Sequence, residues 1–575
     1  MPSSRGNCAS KTSNFVDFSQ LKYSNSKCPI QDGACNVCRE LLQAEKDVQD
    51  AVARLRDALN RHQDLKTAMN HAHSPIIREL PVEIACKIFK SCFSDGMWKK
   101  DGQPVAKDAL VPLKVGAVCR TWRQIAWSLP ELWTVVVVRR IYSTASHNRN
   151  QYSLIKQRIL RSQGLPLYVF LKEEMDDEED VDKAELDYWK RCLRVAAKCS
   201  DQWKDVTMEL SSDSYEYVTS NKLITPTRKV DLSCSQYMRY NKLTGLRLWQ
   251  ESQSGPSQVT ITNPIRFATY SIAWQHVSHV QAKGWPPEDC LTLLKHAPQL
   301  TTCSFKNVWR APRDADENVP GEPVVSHSSL RHWSFHTAGT ILSTKFFDRI
   351  SLPNLEQFEH SSSNMKQLED VPLVLLRFFS RCNFPLTKLS LSTRVFTPGD
   401  MARILETAPS LIHLSVRFSE PPDNTDSNAW GTTDSDSSES NFEGAESDFE
   451  DPESKTWMES FFQHLSQANP VIHEGVNNAH NLAPRLESLE FVGEGLVIPW
   501  IFAPAIFGDP SEPRTAGRRP LKALTFYSKR VPDPVSGLPD ETITRLLSLR
   551  EAGIAINYCI LPGRNLLVPV VWNRG

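Results

Sequence analysis

The chain of 575 residues has no run of about 18 apolar residues, the length a helix needs to cross a bilayer. Its most apolar stretch, GLVIPWIFAPAIF (495–507), is shorter and holds two prolines, so we read it as a buried or partner-facing loop. The opening residues, MPSSRGNCASKTSNFVDFSQ, lack the apolar centre of a secretory signal. An excess of one charge is missing too. The 66 Lys and Arg stand against 67 Asp and Glu, a net charge of −1, with no general pull toward nucleic acid or acidic lipid. Catalytic signatures are absent: no Gly-x-Gly-x-x-Gly, no phosphate-binding loop, no Gly-x-Ser-x-Gly and no His-Glu-x-x-His. The 14 cysteines are scattered over the chain, mostly in apolar-periodic segments, and show no disulfide framework. We therefore expect a non-enzymatic protein of the cytoplasm, the nucleus or both, with reduced thiols, no cofactor, no membrane span and no nucleic-acid partner.

What is present divides the chain. Residues 1–38 are rich in Ser, Asn and Lys and are read as disordered. Within them Cys28, Cys35 and Cys38, with Cys8 upstream, do not make two close pairs of ligands, so no metal site is assigned. Residues 39–73 contain no Gly or Pro. Leu41, Ala44, Val48, Ala51, Leu55, Ala58, Leu65 and Met69 follow a 3,4 spacing there. That predicts one helix with a narrow apolar seam, either a short coiled coil or a helix folded back on its own domain. Two acidic tracts, 172–183 and 419–454, are read as solvated insertions. The second is Ser/Asp/Glu-rich and too poor in aliphatic residues to bury a core. Within it, Thr433, Ser440 and Ser447 each precede an acidic residue by three positions, a context that acid-directed kinases favour.

Around the acidic tracts, from Leu293 to Phe526, a pattern recurs: a helix-like segment, a small or proline turn, then Leu-x-x-Leu-x-apolar. Its pieces include LLKHAPQLTTCSF, HSSLRHWSF, LPNLEQFEH, FPLTKLSLS, ILETAPSLIHLSV, LAPRLESLEF and RPLKALTF. The first leucine of each strand is Leu300, Leu330, Leu355, Leu386, Leu411, Leu486 and Leu521, at spacings of about 25 to 31 residues outside one long gap and a stretched last one. A period in that range with short leucine-bearing strands fits a leucine-rich-repeat-like solenoid. Each strand would pair in parallel with the next while helices cover one face. The fold class expected is thus α/β, with an irregular parallel sheet over 139–575.

Between helix and repeats lies SPIIRELPVEIACKIF (74–89). Ser74 followed by Pro75 is a helix-start signal, and Leu80, Ile84 and Ile88 fall at i, i+4, i+8. After a polar insertion from Ser94, the segment 112–133 predicts a second helix. Its apolar face holds Val115, Val118, Cys119, Trp122, Ile125, Ala126 and Leu129. Together the two halves read Leu-Pro-x-Glu-Ile-x-x-x-Ile-Phe, then Leu113 and Val-Cys-Arg-x-Trp-Arg-x-Ile-Ala at 118–126. Residues 74–133, about a tenth of the chain, resemble the F-box in this. With the preceding helix and the following repeats, the chain resembles the F-box proteins of mushroom-forming fungi.

The resemblance implies a three-helix module that docks on the Skp adaptor, and through it on the cullin, of an SCF-type cullin–RING ubiquitin ligase. The repeat domain would then hold a protein substrate. A module this small cannot bury all its large apolar side chains, which independently suggests a docking face. The residues assigned to that face are Leu80, Pro81, Ile84, Ile88, Leu113, Val118, Cys119 and Trp122. For Trp122 and Phe89 a place in the module's own core is the competing reading. A ligase-independent scaffold is the alternative function.

Overall fold

Apolar residues alternate with polar ones along most of the segments that become strands, and these segments build one sheet. The computed structural model describes residues 35–73, 80–97, 109–140, 145–173, 183–219, 228–234, 255–262, 267, 272–308, 324–337, 344–362, 371–382, 384–392, 396–418, 452–467, 482–493, 496–507, 520–528, 538–560 and 567–569. It is an α/β structure with a large parallel sheet and, among the described residues, 13 α-helices. The chain divides into two units, residues 1–133 and 134–575.

The first unit is helical: α1 (Asn36–His73), α2 (Val82–Met97), α3 (Val111–Gly116), α4 (Arg120–Ser128) and a 3-10 turn at Pro130–Trp133. Two expectations need correction here. The segment 112–133 is not one helix. Cys119 adopts an extended conformation (φ −157°, ψ 172°), which ends one helical run and caps the next. The polar insertion begins later than expected, because α2 runs through Ser94 to Met97. Ser74 and Pro75 lie outside the described residues, as do residues 1–34, and α1 begins at Asn36, inside the segment 1–38 read as disordered.

The second unit carries β1 (Val135–Arg140), β2 (Leu167–Glu173), β3 (Trp203–Leu210), β4 (Lys229–Cys234), β5 (Gln258–Thr262), β6 (His279–Lys283) and β7 (Thr302–Val308). After a two-residue strand β8 (Val325–Ser326) come β9 (His332–Thr337), a second short strand β10 (Ile350–Ser351), β11 (Gln357–Ser362) and β12 (Lys388–Ser392). The last are β13 (His413–Arg417), β14 (Ser488–Gly493), β15 (Ala523–Ser528), β16 (Ala555–Ile560) and β17 (Leu567–Pro569). Apart from the separate β8–β10 pair, they form one 15-stranded sheet in chain order, parallel except for the antiparallel β16–β17 pair. The sheet therefore begins at Val135, four residues before the expected start.

The strands share one register, so residues of the same kind stack across the sheet. One ladder runs Val136, Val169, Val206, Val230, Val259, Val280 and Cys303, then continues Trp333, Phe358, Leu389, Leu414, Leu489, Leu524 and Ile556. A second ladder lies two residues further along each strand, from Val138 and Leu171 through Phe305, Phe335 and His360 to Phe526 and Tyr558. The leucines that mark the repeat are buried just before the strands, Leu300, Leu330, Leu355, Leu386, Leu411 and Leu486 at 0% exposure and Leu521 at 6%. Helices α5 (Ala145–Arg161), α6 (Lys183–Ala197), α7 (Ser212–Thr219), α8 (Pro287–His296), α9 (Thr344–Asp348), α10 (Val371–Cys382), α11 (Pro398–Thr407), α12 (Pro452–Gln467) and α13 (Asp540–Glu551) lie in the crossovers. Buried residues of these helices join the two ladders in one continuous apolar core.

Local signals set the helix ends. Thr397 and Asp400 form a capping box at the start of α11, with Pro398 at its first turn. Gln163 and Gly164 both take positive φ (50° and 80°) where α5 turns into β2.

Both acidic tracts also need correction at their ends. Glu173, read as part of a solvated run, is the last residue of β2 and only 1% exposed. Its carboxylate accepts from Arg140 Nη1 at 2.7 Å and from the Ser211 backbone N–H at 2.9 Å. A strand-end acid thus closes a buried ion pair, which its charged neighbours in sequence conceal. The second tract ends sooner than assigned, because residues 452–454 already belong to α12 and Ser454 is buried. Of the stretch 495–507, the described residues 496–507 are a loop with a 3-10 turn, in which Leu496, Ile498, Ala503, Ile506 and Phe507 are buried.

Candidate docking surfaces

In the helical unit a small core comes first. Ala85 and Phe89 of α2 meet Ile125 and Ala126 of α4, together with Leu129, Leu132 and Trp133. The Phe89 and Trp122 rings meet edge to face at 5.0 Å, and Trp133 Nε1 donates to the Ala126 carbonyl at 2.8 Å. Hydrogen bonds fix the helix ends around this core. The Pro81 carbonyl accepts from the Ala85 N–H at 3.0 Å, Cys119 Sγ accepts from the Trp122 N–H at 3.3 Å, and Arg123 Nε donates to the Gly116 carbonyl at 2.8 Å. Lys90 and Glu131 pair at 2.6 Å on the surface, and that bond holds the Glu131 carboxyl below its ordinary range.

The eight residues assigned to the docking face separate into two groups. Pro81, Ile84, Ile88 and Val118 are exposed, Ile84, Ile88 and Val118 by 42%, 41% and 51%. Leu80, Leu113 and Trp122 are half-buried and pack against the small core. Cys119 is also half-buried, and its thiol serves as the cap of α4. Phe89, at 1% exposure, is a core residue. Pro81, just before α2, and Ile84 and Ile88 on it follow one another at helical spacing along one stripe. Val82, Leu110 and Trp127 add further exposed apolar surface that the sequence pattern had not singled out.

In the sheet unit the face opposite the helices is polar. It carries the residues between the ladder positions, among them Ser304, Ser334, Glu359, Ser390, Ser415 and Glu490. An open hollow of about 200 Å³ lies there, lined also by His332, Gln357, Lys388 and Arg417. Arg417 Nη1 pairs with Glu359 Oε1 at 2.6 Å across two strand spacings. His336, on the same face, is held neutral to lower pH than an ordinary imidazole, by burial and then by the nearby Lys306 charge. Sequence reasoning missed these residues singly, although they occupy the x positions of each Leu-x-apolar strand.

Among the described residues, no three His, Cys, Asp or Glu side chains come together as a metal site. Cys35 Sγ accepts from the Cys38 N–H at 3.4 Å at the start of α1, while Cys8 and Cys28 lie outside the described residues. Thr433, Ser440 and Ser447 lie outside them as well. No described helix is long and apolar enough to cross a membrane. Neither a scan against protein-family models nor a search of curated proteins finds a match for this chain.

Proposed function

We propose that the chain is a substrate-recognition subunit of an SCF-type cullin–RING ubiquitin ligase. In this reading residues 74–133 are an F-box that docks on the Skp adaptor, and the following domain is a leucine-rich-repeat-like solenoid that holds a protein substrate. The observation that carries it is the exposed apolar stripe of Pro81, Ile84 and Ile88, beside the side of the same helix that Ala85 and Phe89 fix in a small core. Large apolar side chains presented on a rigid element are what a protein partner buries. The half-exposed Ile84 and Ile88 would each contribute about 1 kcal/mol on complete burial, half the value for a fully exposed side chain. The polar sheet face, with its rows of Ser, Glu, Lys and Arg, suits a partner that forms hydrogen bonds and ion pairs. The chain would then act by proximity, with the chemistry of ubiquitin transfer carried out by other subunits.

The test is co-purification of the full chain with the Skp adaptor and cullin. Ile84→Asp with Ile88→Asp places two charges on the docking stripe without touching the core, and should abolish capture of the adaptor. Lys90→Ala, on the same helix but off the stripe, should bind like the wild type. Normal binding by the double variant would reject the assignment. Capture of the adaptor without cullin would favour the ligase-independent scaffold instead.

A further inference from the structure

Helix α1 is 38 residues long and leaves its seam bare. Leu41, Val48, Leu55, Leu65 and Met69 are 42–62% exposed, and Leu59 is exposed beside them. Its contact with α4 uses another face: Arg120 Nη2 meets Asp64 Oδ1 at 2.9 Å, between two exposed side chains. A helix of about 57 Å with an uncovered apolar stripe along its length calls for a partner of the same length.

We propose that the occupant is α1 of a second copy of this chain, running antiparallel. Two independent features of the helix fix the direction. The first is volume. In heptad terms the seam alternates a large position (Leu41, Val48, Leu55, then His62 and Met69) with a small one (Ala44, Ala51, Ala58, then Leu65). A parallel pair in register would stack large on large and alanine on alanine. The leucine layers would then hold the helices too far apart for the alanine layers to touch, leaving voids. An antiparallel pair sets large against small in the middle layers. With Leu55 facing Ala51 of the second copy, Val48 faces Ala58, His62 faces Ala44, Leu41 faces Leu65 and Met69 faces Val37. The helices then overlap over almost their whole length.

The second feature is charge. The positions flanking the seam are acidic in the first half of the helix, Glu40, Glu45 and Asp47, and basic in the second, Arg54, Arg61 and Lys66. Flanking charges set the orientation of helix pairs. A parallel pair would place Glu40 beside Glu45 and Arg61 beside Lys66 of the second copy, like against like. The antiparallel register just described brings Asp47 to Arg54 and Arg61, Glu40 to Arg61, and Glu45 to Lys66, against one like pair, Arg54 beside Arg54 of the second copy at the two-fold axis. In the same register Val52 lies beside Leu59, so the flanks also close over apolar surface.

Sedimentation of the full chain tests this through two charge-reversal variants, all of whose changed residues are exposed on α1. Wild type should sediment at twice the mass of one chain at micromolar concentration. The variant Glu40→Lys with Asp47→Lys and the variant Arg54→Glu with Arg61→Glu should each weaken self-association by at least about tenfold. An equimolar mixture of the two should restore the dimer as a mixed species. A wild-type monomer at tens of micromolar would overturn the proposal. Tighter association of either variant by itself would overturn it too. In a parallel pair the first variant would set a new positive charge beside Glu45, and the second a new negative charge beside Lys66. Unchanged far-ultraviolet circular dichroism shows that each variant remains helical.

Discussion

His360 occupies a ladder position that the other parallel strands fill with apolar or aromatic side chains. It is 1% exposed between the rings of Phe335, Phe358 and Phe396, and neither ring nitrogen has a partner among the described residues. Burial, and then the neighbouring His336, pushes its pKa down to about 3. The unfolded chain takes up a proton on this residue near pH 6.5, whereas the folded chain stays unprotonated until about pH 3. The folded state is thus fully favoured above pH 6.5 and loses stability as pH falls between those values, by no more than about 1.4 kcal/mol per pH unit. His336 works in the same direction. His360→Leu, which continues the ladder with the residue type already present at Leu391, removes a buried unpartnered group and should stabilise the fold by about 1–3 kcal/mol. In thermal melts the gain should be larger at pH 5 than at pH 8. A pH-independent gain would show that this imidazole titrates normally.

Elements were legible where one residue type repeats at one place. Every leucine at the Leu-x-x-Leu position is buried, and each introduces a strand of the sheet. Strands β4, β5 and β6 escaped the pattern because Val230, Val259 and Val280 take the ladder position with no leucine three residues before them. The repeat is a matter of burial, which valine satisfies as well as leucine. Apolar periodicity likewise ran unbroken through 112–133, because it reports which side chains are apolar and not where the backbone leaves the helix. Of the residues assigned to docking it could place Ile84 and Ile88 on a stripe, but it left Trp122 between two readings and did not show that Leu80 and Leu113 pack against their own core. The break at Cys119 is testable. Its thiol is a weak acceptor in the role usually taken by a hydroxyl or carboxylate. Cys119→Ser should slow hydrogen exchange at the Trp122 amide, while Cys119→Ala should speed it and cost about 0.5–2 kcal/mol in the helical unit.

At the scale of the whole molecule, the sheet is assembled in strict chain order, so each crossover can change length without disturbing the next pairing. The longest, between β13 and β14, holds the acidic tract. Its flanks are fixed locally: the Phe418 N–H donates to the Val492 carbonyl at 2.7 Å, and the Phe418 ring meets Trp457 of α12 at 5.5 Å. Loop-closure entropy changes only slowly with length, about 0.6 kcal/mol per doubling. Replacing 421–449 with a short Gly-Ser linker should therefore leave the melting temperature within about 2 °C of wild type. A larger drop would mean that the acidic tract packs against the fold.

The reversal of direction at the last strand has a consequence for solubility. A parallel sheet built in chain order can in principle accept another strand at its open edge, including one from a neighbouring molecule. Here β17 covers β16 in the opposite sense, and its Pro569, opposite Asn557, has no N–H to offer an incoming strand. The short strand thus acts as a terminator, and chains shortened to residue 566 should aggregate at concentrations where the full chain stays dispersed.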